Sequence, residues 1–283
     1  MKRRVLGNTG EEISILGLGG IVINNMPQEE SNRIVSEAVD RGVTYFDVAP
    51  DYDDAQERLG PALEPYREKV FLACKTERWD AEGCARELEE SLRLLRTDRI
   101  DLYQFHGLCS HEDVEEVLGP GGAIETFEAA RRDGKVRYLG FSSHTVEGAQ
   151  EALARYEGWN SILFPVNFVC WRDGFGPQVV EDARNRGVAR LALKSIARTK
   201  WPGRENRKYP KCWYEPFDDR DQAALAFRFT LSQDVTAAVT PGDPALFPMM
   251  LDLADDFHPI TAEETARLHQ MTKGLTPVFP EKG

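Results

Sequence analysis

The chain's 283 residues are 41% hydrophobic and 29% charged, which excludes a disordered or fibrous protein and allows one large core. A formal net charge of −12 disfavours wholesale binding to nucleic acid or to an anionic membrane, while a local basic patch could still capture a small phosphorylated ligand. No apolar run approaches the roughly 20 residues of a membrane helix, so no membrane partner is expected.

In chain order, Met1-Lys2-Arg3-Arg4 lacks the apolar core of a signal peptide. Arg3–Leu6, the turn Gly7-Asn8-Thr9-Gly10 and Glu12–Ile15 then predict a short hairpin. Eight strands are predicted next: Leu16–Gly19, Thr44–Asp47, Val70–Lys75, Ile100–His106, Val136–Ser142, Ile162–Val166, Ala189–Lys194 and Val235–Thr240. Between them, Glu29–Arg41, Ala81–Leu95, Ile124–Asp133, Val146–Tyr156, Phe175–Arg186 and Asp221–Thr230 read as helices. Gly42, Gly134 and Gly187 supply glycine caps to three of these helices. Strand–helix alternation implies right-handed crossovers and a parallel sheet. With no linker and no G-x-G-x-x-G fingerprint, residues 1–283 are expected to form a single (β/α)8 TIM-barrel domain with an N-terminal β-hairpin and long βα loops. The longest irregular stretch, Thr199–Pro216, is too long for an ordinary connection and suggests a functional loop. Five scattered cysteines (Cys74, Cys84, Cys109, Cys170, Cys212) form no C-x-x-C pair, which fits reduced thiols in a cytoplasm and no zinc or iron–sulfur site.

Reactive groups of such a barrel sit where its strands end. Asp47 ends the second predicted strand, Lys75 the third and His106 the fourth. Alternation turns these three inward and sends Phe46, Cys74 and Phe105 to the helix layer. Charge at inward positions is costly unless paired, so three successive occurrences point to a site.

The Phe46–Tyr52 run (F-D-x-A-x-x-Y), with Lys75 and His106, resembles the tetrad of the aldo-keto reductase family. The opening Val5–Gly10 with Gly17-Leu18-Gly19, the run Gly140–His144 and the run Val239–Gly242 are similar to that family's hairpin, first strand, fifth-strand end and eighth-strand end. The resemblance implies hydride transfer between a nicotinamide cofactor and a small carbonyl or alcohol substrate. Tyr52 would be general acid in reduction and base in oxidation, and Lys75 would lower its pKa. Asp47 would hold Lys75, and His106 would hydrogen-bond the substrate carbonyl oxygen.

For the cofactor, the resemblance implies that Ser142, Ser143 and Asn167 contact the carboxamide of nicotinamide. Gly20, Leu193, Lys194, Ser195, Pro241 and Gly242 complete the expected cofactor set. Many relatives stack an aromatic on the nicotinamide ring where this chain has Leu193, which offers dispersion without π-stacking. Members specific for the 2′-phosphate usually carry basic residues after the eighth strand, but Thr240–Pro248 has none and holds Asp243. NADP(H) is therefore favoured over NAD(H) by family habit alone. The basic residues Lys200, Arg204, Arg207, Lys208 and Lys211 of the long loop could compensate by folding over the phosphates. Trp171, Trp201 and Trp213 could wall a substrate pocket or anchor their own loops.

No metal is expected: Asp51, Asp53 and Asp54 cluster near Tyr52 without a recognisable ligand spacing. The alternatives are a cofactor-binding redox sensor with little turnover, and a metal-dependent barrel lyase or isomerase, which would need ligands at more strand ends. Substrate identity, oligomeric state and reaction direction are not encoded in these motifs.

Overall fold

The structure, a computed structural model, describes residues 1–203, 205 and 207–279. The expected hairpin is formed by β1 (Arg3–Val5) and β2 (Glu12–Ser14), paired antiparallel. Its turn needs glycine: Gly7 has φ +52, and a Cβ there would lie 2.6 Å from the Gly187 carbonyl oxygen. The strands that follow are β3 (Leu16–Gly19), β4 (Tyr45–Asp47), β5 (Phe71–Thr76), β6 (Ile100–Phe105), β7 (Val136–Ser142), β8 (Ser161–Pro165) and β9 (Ala189–Leu193). A second antiparallel pair, β10 (Ala197–Thr199) with β11 (Glu215–Pro216), precedes β12 (Ala237–Val239). Among the described residues, β3 to β9 and β12 close into a parallel barrel, with β12 hydrogen-bonded to both β9 and β3. Each barrel strand lies where alternation predicted it, with its ends shifted by one or two residues at most.

The helices are α1 (Gln28–Asp40), α2 (Ala55–Leu63), α3 (Ala81–Leu94), α4 (His111–Leu118), α5 (Ile124–Arg132), α6 (Val146–Arg155), α7 (Phe168–Arg172), α8 (Pro177–Asn185), α9 (Arg220–Ser232), α10 (Phe247–Asp255) and α11 (Ala262–Met271). Five of them, α2, α4, α7, α10 and α11, were not expected from periodicity. Pro61 sits inside α2, and α7 is a single short turn, so neither presents a clean 3.6-residue pattern. Two could have been read from their capping boxes, Ser110 with Asp113 for α4 and Thr261 with Glu264 for α11. No described helix is long and apolar enough to cross a membrane.

Strand alternation divides the interior in two. Tyr45, Phe71, Ala73, Leu102, Leu163, Leu191 and Val239 fill the barrel, joined by Leu6 and Ile13 from the hairpin. Phe46, Leu72, Cys74, Tyr103, Phe105 and Phe141 face the helix layer. The hairpin thus plugs the N-terminal end of the barrel, and the inward charged residues Asp47 and Lys75 lie near the C-terminal strand ends. Those positions make the site.

Candidate active site

Asp47 and Lys75 are 2% and 1% exposed and form an ion pair inside the barrel mouth. Burying both charges is tolerable only if the remaining lone pairs are filled. Asp47 Oδ2 accepts from Gln104 Nε2 at 3.0 Å and from the Tyr45 hydroxyl at 3.2 Å. Gln104 and Tyr45 were missed in the sequence, although each shares strand parity with a predicted site residue: Tyr45 with Asp47, Gln104 with His106. They turn a pair into a four-membered polar network.

Tyr52 follows β4 in the turn before α2. The Lys75 ammonium lies 5.0 Å from its ring centroid, and the His106 ring meets it edge-on at 5.9 Å and 84°. All four expected tetrad residues therefore converge, and all four line one cleft. The Tyr52 hydroxyl departs from expectation. Burial pushes its pKa up to about 12, outweighing the opposing charge of Lys75, while Asp47 and Asp51 push the same way. Tyr52 therefore keeps its proton at neutral pH and is a weaker acid than a free phenol, with the Lys75 charge working against that shift. Burial pulls the Lys75 ammonium down, but the charges of Asp47 and Tyr52 more than reverse this, so its pKa is raised.

The cleft is open at its mouth: about 700 Å³ of space lies among its lining residues when open solvent is included, and about 80 Å³ of it has room for water-sized molecules. Of the expected cofactor residues, Ser142, Leu193, Lys194, Pro241 and Gly242 line it, whereas Gly20, Ser143, Asn167 and Ser195 do not. Ser142 Oγ accepts from the Gly107 amide at 3.0 Å, and Ser143 Oγ donates to the Thr145 carbonyl at 3.0 Å. Asn167 Oδ1 accepts from the Cys170 amide at 3.0 Å and caps α7. Its Nδ2, and Ser195 Oγ, are buried without a hydrogen-bond partner. Gly20 and Gly242 have packing reasons to be glycine: a Cβ would lie 2.8 Å from Val48 Cγ2 in the first case and 2.7 Å from Ile21 Cγ2 in the second.

Lys194 has φ +61, an uncommon conformation for a side-chain-bearing residue, and reaches across the barrel mouth to His144. Its Nζ lies 3.1 Å from His144 Nε2 and 5.3 Å from the centre of the Phe279 ring, which stacks on His144. Burial lowers the His144 pKa to about 3 and the Lys194 pKa to about 8, so a neutral imidazole accepts a hydrogen bond from the ammonium. His144 ends the Gly140–His144 run read in the sequence and lines the cleft, whereas its contacts with Lys194 and Phe279 could not be read locally, because β7, β9 and the C-terminal segment meet only in the fold.

The long loop is less irregular than expected, since β10 and β11 pair at its two ends. Lys211 donates to the Val22 and Asn24 carbonyls at 3.3 and 2.5 Å, tying the loop across the cleft, and Lys208 pairs with Asp218. Arg204 lies outside the described residues. Asp243 caps the turn Pro244–Leu246, accepting from the Ala245 amide at 3.1 Å. Of the three loop tryptophans only Trp213, 59% exposed, lines the cleft. Trp201 anchors its own loop by donating to the Cys212 carbonyl at 2.8 Å, and Trp171 packs on Phe229.

Residues 15–272 match a sequence model described as Aldo/keto reductase family. The chain is similar to the aldo-keto reductase YhdN of Bacillus subtilis, 32% identical over 231 residues, covering 74% of this chain and 66% of that protein. It is also similar to the uncharacterized oxidoreductase YqkF of the same organism, 34% identical over 157 residues, a match spanning 50% of this chain and about half (49%) of YqkF. The holo form of the aldo-keto reductase AKR11C1 from Bacillus halodurans shares the fold, with TM-score 0.77 and 24% identity, covering 100% of this chain and 99% of that one.

Proposed function

Because the chain belongs to the aldo/keto reductase family, we propose that it is a single-domain NAD(P)-dependent oxidoreductase acting on small carbonyl or alcohol compounds. The observation that carries this reading is the buried Asp47–Lys75 pair opening on the same cleft as Tyr52 and His106. A nicotinamide cofactor, when bound, supplies the hydride. In reduction, Tyr52 gives its phenolic proton to the substrate oxygen, and Lys75 stabilises the tyrosinate that remains. In oxidation, the tyrosinate takes the proton back from the alcohol. Asp47, fixed by Gln104 and Tyr45, keeps the ammonium in place. His106 hydrogen-bonds the carbonyl oxygen and orients it. Ser142, Leu193, Lys194, Pro241 and Gly242, which line the cleft, would hold the cofactor, and the expected set also includes Gly20, Ser143 and the unpartnered Asn167 and Ser195, which lie outside that lining. Titration with NADPH and NADH, followed by a panel of aldehydes, ketones and sugars, tests the reading. Carbonyl-dependent oxidation of the reduced cofactor is expected. Binding of either cofactor with no turnover across the panel would favour a sensor instead.

Cofactor choice follows from charge. A 2′-phosphate normally meets an arginine or lysine clamp. The loop after β12 offers the capping carboxylate of Asp243, and Lys211 is spent on backbone carbonyls. NADPH should therefore bind less than about 10-fold tighter than NADH, or under ~1.4 kcal/mol. Affinities measured at equal ionic strength decide this. A preference of several hundredfold would reveal a clamp in the basic loop.

Lys194 gives a pH-dependent prediction. Its ammonium lines the cleft and is the form that attracts a phosphate. As pH rises through about 8 that charge is lost, so cofactor affinity should fall over the same range. Lys194→Gln should bind cofactor more weakly and with a flat pH profile between 7 and 9. An unchanged profile in this variant would remove Lys194 from the cofactor set.

A further inference from the structure

Asp51, Glu77 and His106 come from three separate turns, after β4, β5 and β6, and converge at the rim of the cleft. His106 Nδ1 lies 3.3 Å from an Asp51 carboxylate oxygen and 4.0 Å from a Glu77 carboxylate oxygen. One donor atom from each of the three lies within 4.8 Å of the other two. Despite these neighbours, Nδ1 is buried without a hydrogen-bond partner. Two carboxylates are also held against one another.

We infer that Asp51, Glu77 and His106 Nδ1 form a binding site for a divalent transition-metal ion, with Zn²⁺ the best match. In a tetrahedral zinc site, bonds of roughly 2.0–2.1 Å separate the ligand atoms by about 3.3–3.4 Å. The imidazole and Asp51 already stand at that separation, and Glu77, an exposed side chain, has the freedom to close the remaining gap. An imidazole ligand selects zinc-like ions over calcium and magnesium, which take oxygen ligands. A +2 ion also neutralises both carboxylates. Occupancy would fix the tautomer of His106: metal on Nδ1 leaves the proton on Nε2, the nitrogen free to donate to a substrate oxygen. That effect on turnover rests on the role proposed for His106, whereas the binding itself does not. The acidic cluster seen in the sequence, Asp51 with Asp53 and Asp54, has the wrong membership. Asp53 and Asp54 instead accept hydrogen bonds from Asn24, Asn25 and Arg58.

The test is titration of EDTA-stripped protein with Zn²⁺ by calorimetry and with Co²⁺ by visible absorption, without substrate or cofactor. One equivalent should bind, and the cobalt spectrum should lack thiolate charge-transfer bands. Loss of even an outer partner of a metal site costs roughly 10-fold or more in affinity, so Glu77→Gln and Asp51→Asn should each lose at least that. Glu77→Gln should keep its metal-free activity. Undiminished binding in both variants would place the ion elsewhere, on the free cysteines, and overturn the inference. So would failure to bind Zn²⁺ up to about 1 mM, the weakest affinity of interest. Either failure would leave the reading of Tyr52 and Lys75 untouched.

Discussion

Replacing Tyr52 with phenylalanine should lower kcat by roughly 10²- to 10⁴-fold, the span typical of losing a positioned general acid. The substitution removes one oxygen and keeps the ring that His106 meets edge-on. Affinity for the reduced cofactor should therefore change little, and KM should move far less than kcat. With the phenol held near 12, the proton is present throughout the neutral range. The measurement is steady-state reduction of the best carbonyl found in the panel, alongside cofactor binding by fluorescence and circular dichroism to confirm folding. A variant retaining near wild-type kcat would overturn the proposed chemistry.

The second large effect is expected at Lys75. Lys75→Met leaves the Asp47 carboxylate buried with hydrogen bonds only from Gln104 and Tyr45, neither of which carries charge. Breaking a buried ion pair by removing one partner typically costs about 3–5 kcal/mol, because the surviving charge stays desolvated. Turnover should also collapse, since nothing then offsets the burial of a developing tyrosinate. The two consequences separate in a double variant. Asp47→Asn with Lys75→Met removes both charges, so most of the stability should return while activity does not. Urea denaturation of the wild type, both single variants and the double variant measures the coupling directly. If Lys75→Met alone is as stable as the wild type, the pair is not the buried, charged unit described.

Much of this site was legible because a parallel barrel makes a simple rule. Strand parity decides which side chains face inward, and strand ends decide which of those meet the cleft. Asp47, Lys75 and His106 could be read that way. Gln104 and Tyr45 obey the same parity, but an inward glutamine or tyrosine carries no charge and so raised no alarm. The direction of the Tyr52 shift was misjudged for a related reason. A neighbouring lysine is visible in the sequence, whereas the depth of burial that outweighs it is a property of the assembled cleft. Contacts such as Phe279 on His144, and Asp51 with Glu77 around His106, join segments with no shared periodicity. The unpredicted helices α10 and α11 show both faces of the problem. The first has too few polar positions to display a period, and the second was announced by its capping box.

The seam where β12 meets β3 also sets the order of events during synthesis. Ala238 pairs with Leu16, and Val239 with Gly17, so the last barrel strand to be made is the neighbour of the first. Until residues 237–239 leave the ribosome, β3 and β9 are both open edges of an unfinished sheet, with unpaired amides and carbonyls facing outward. Such edges recruit other strands as readily as the correct one. A nascent chain halted before Ala237 should therefore depend on chaperones to stay monomeric, and it should lose that dependence once the final strand seals the cylinder.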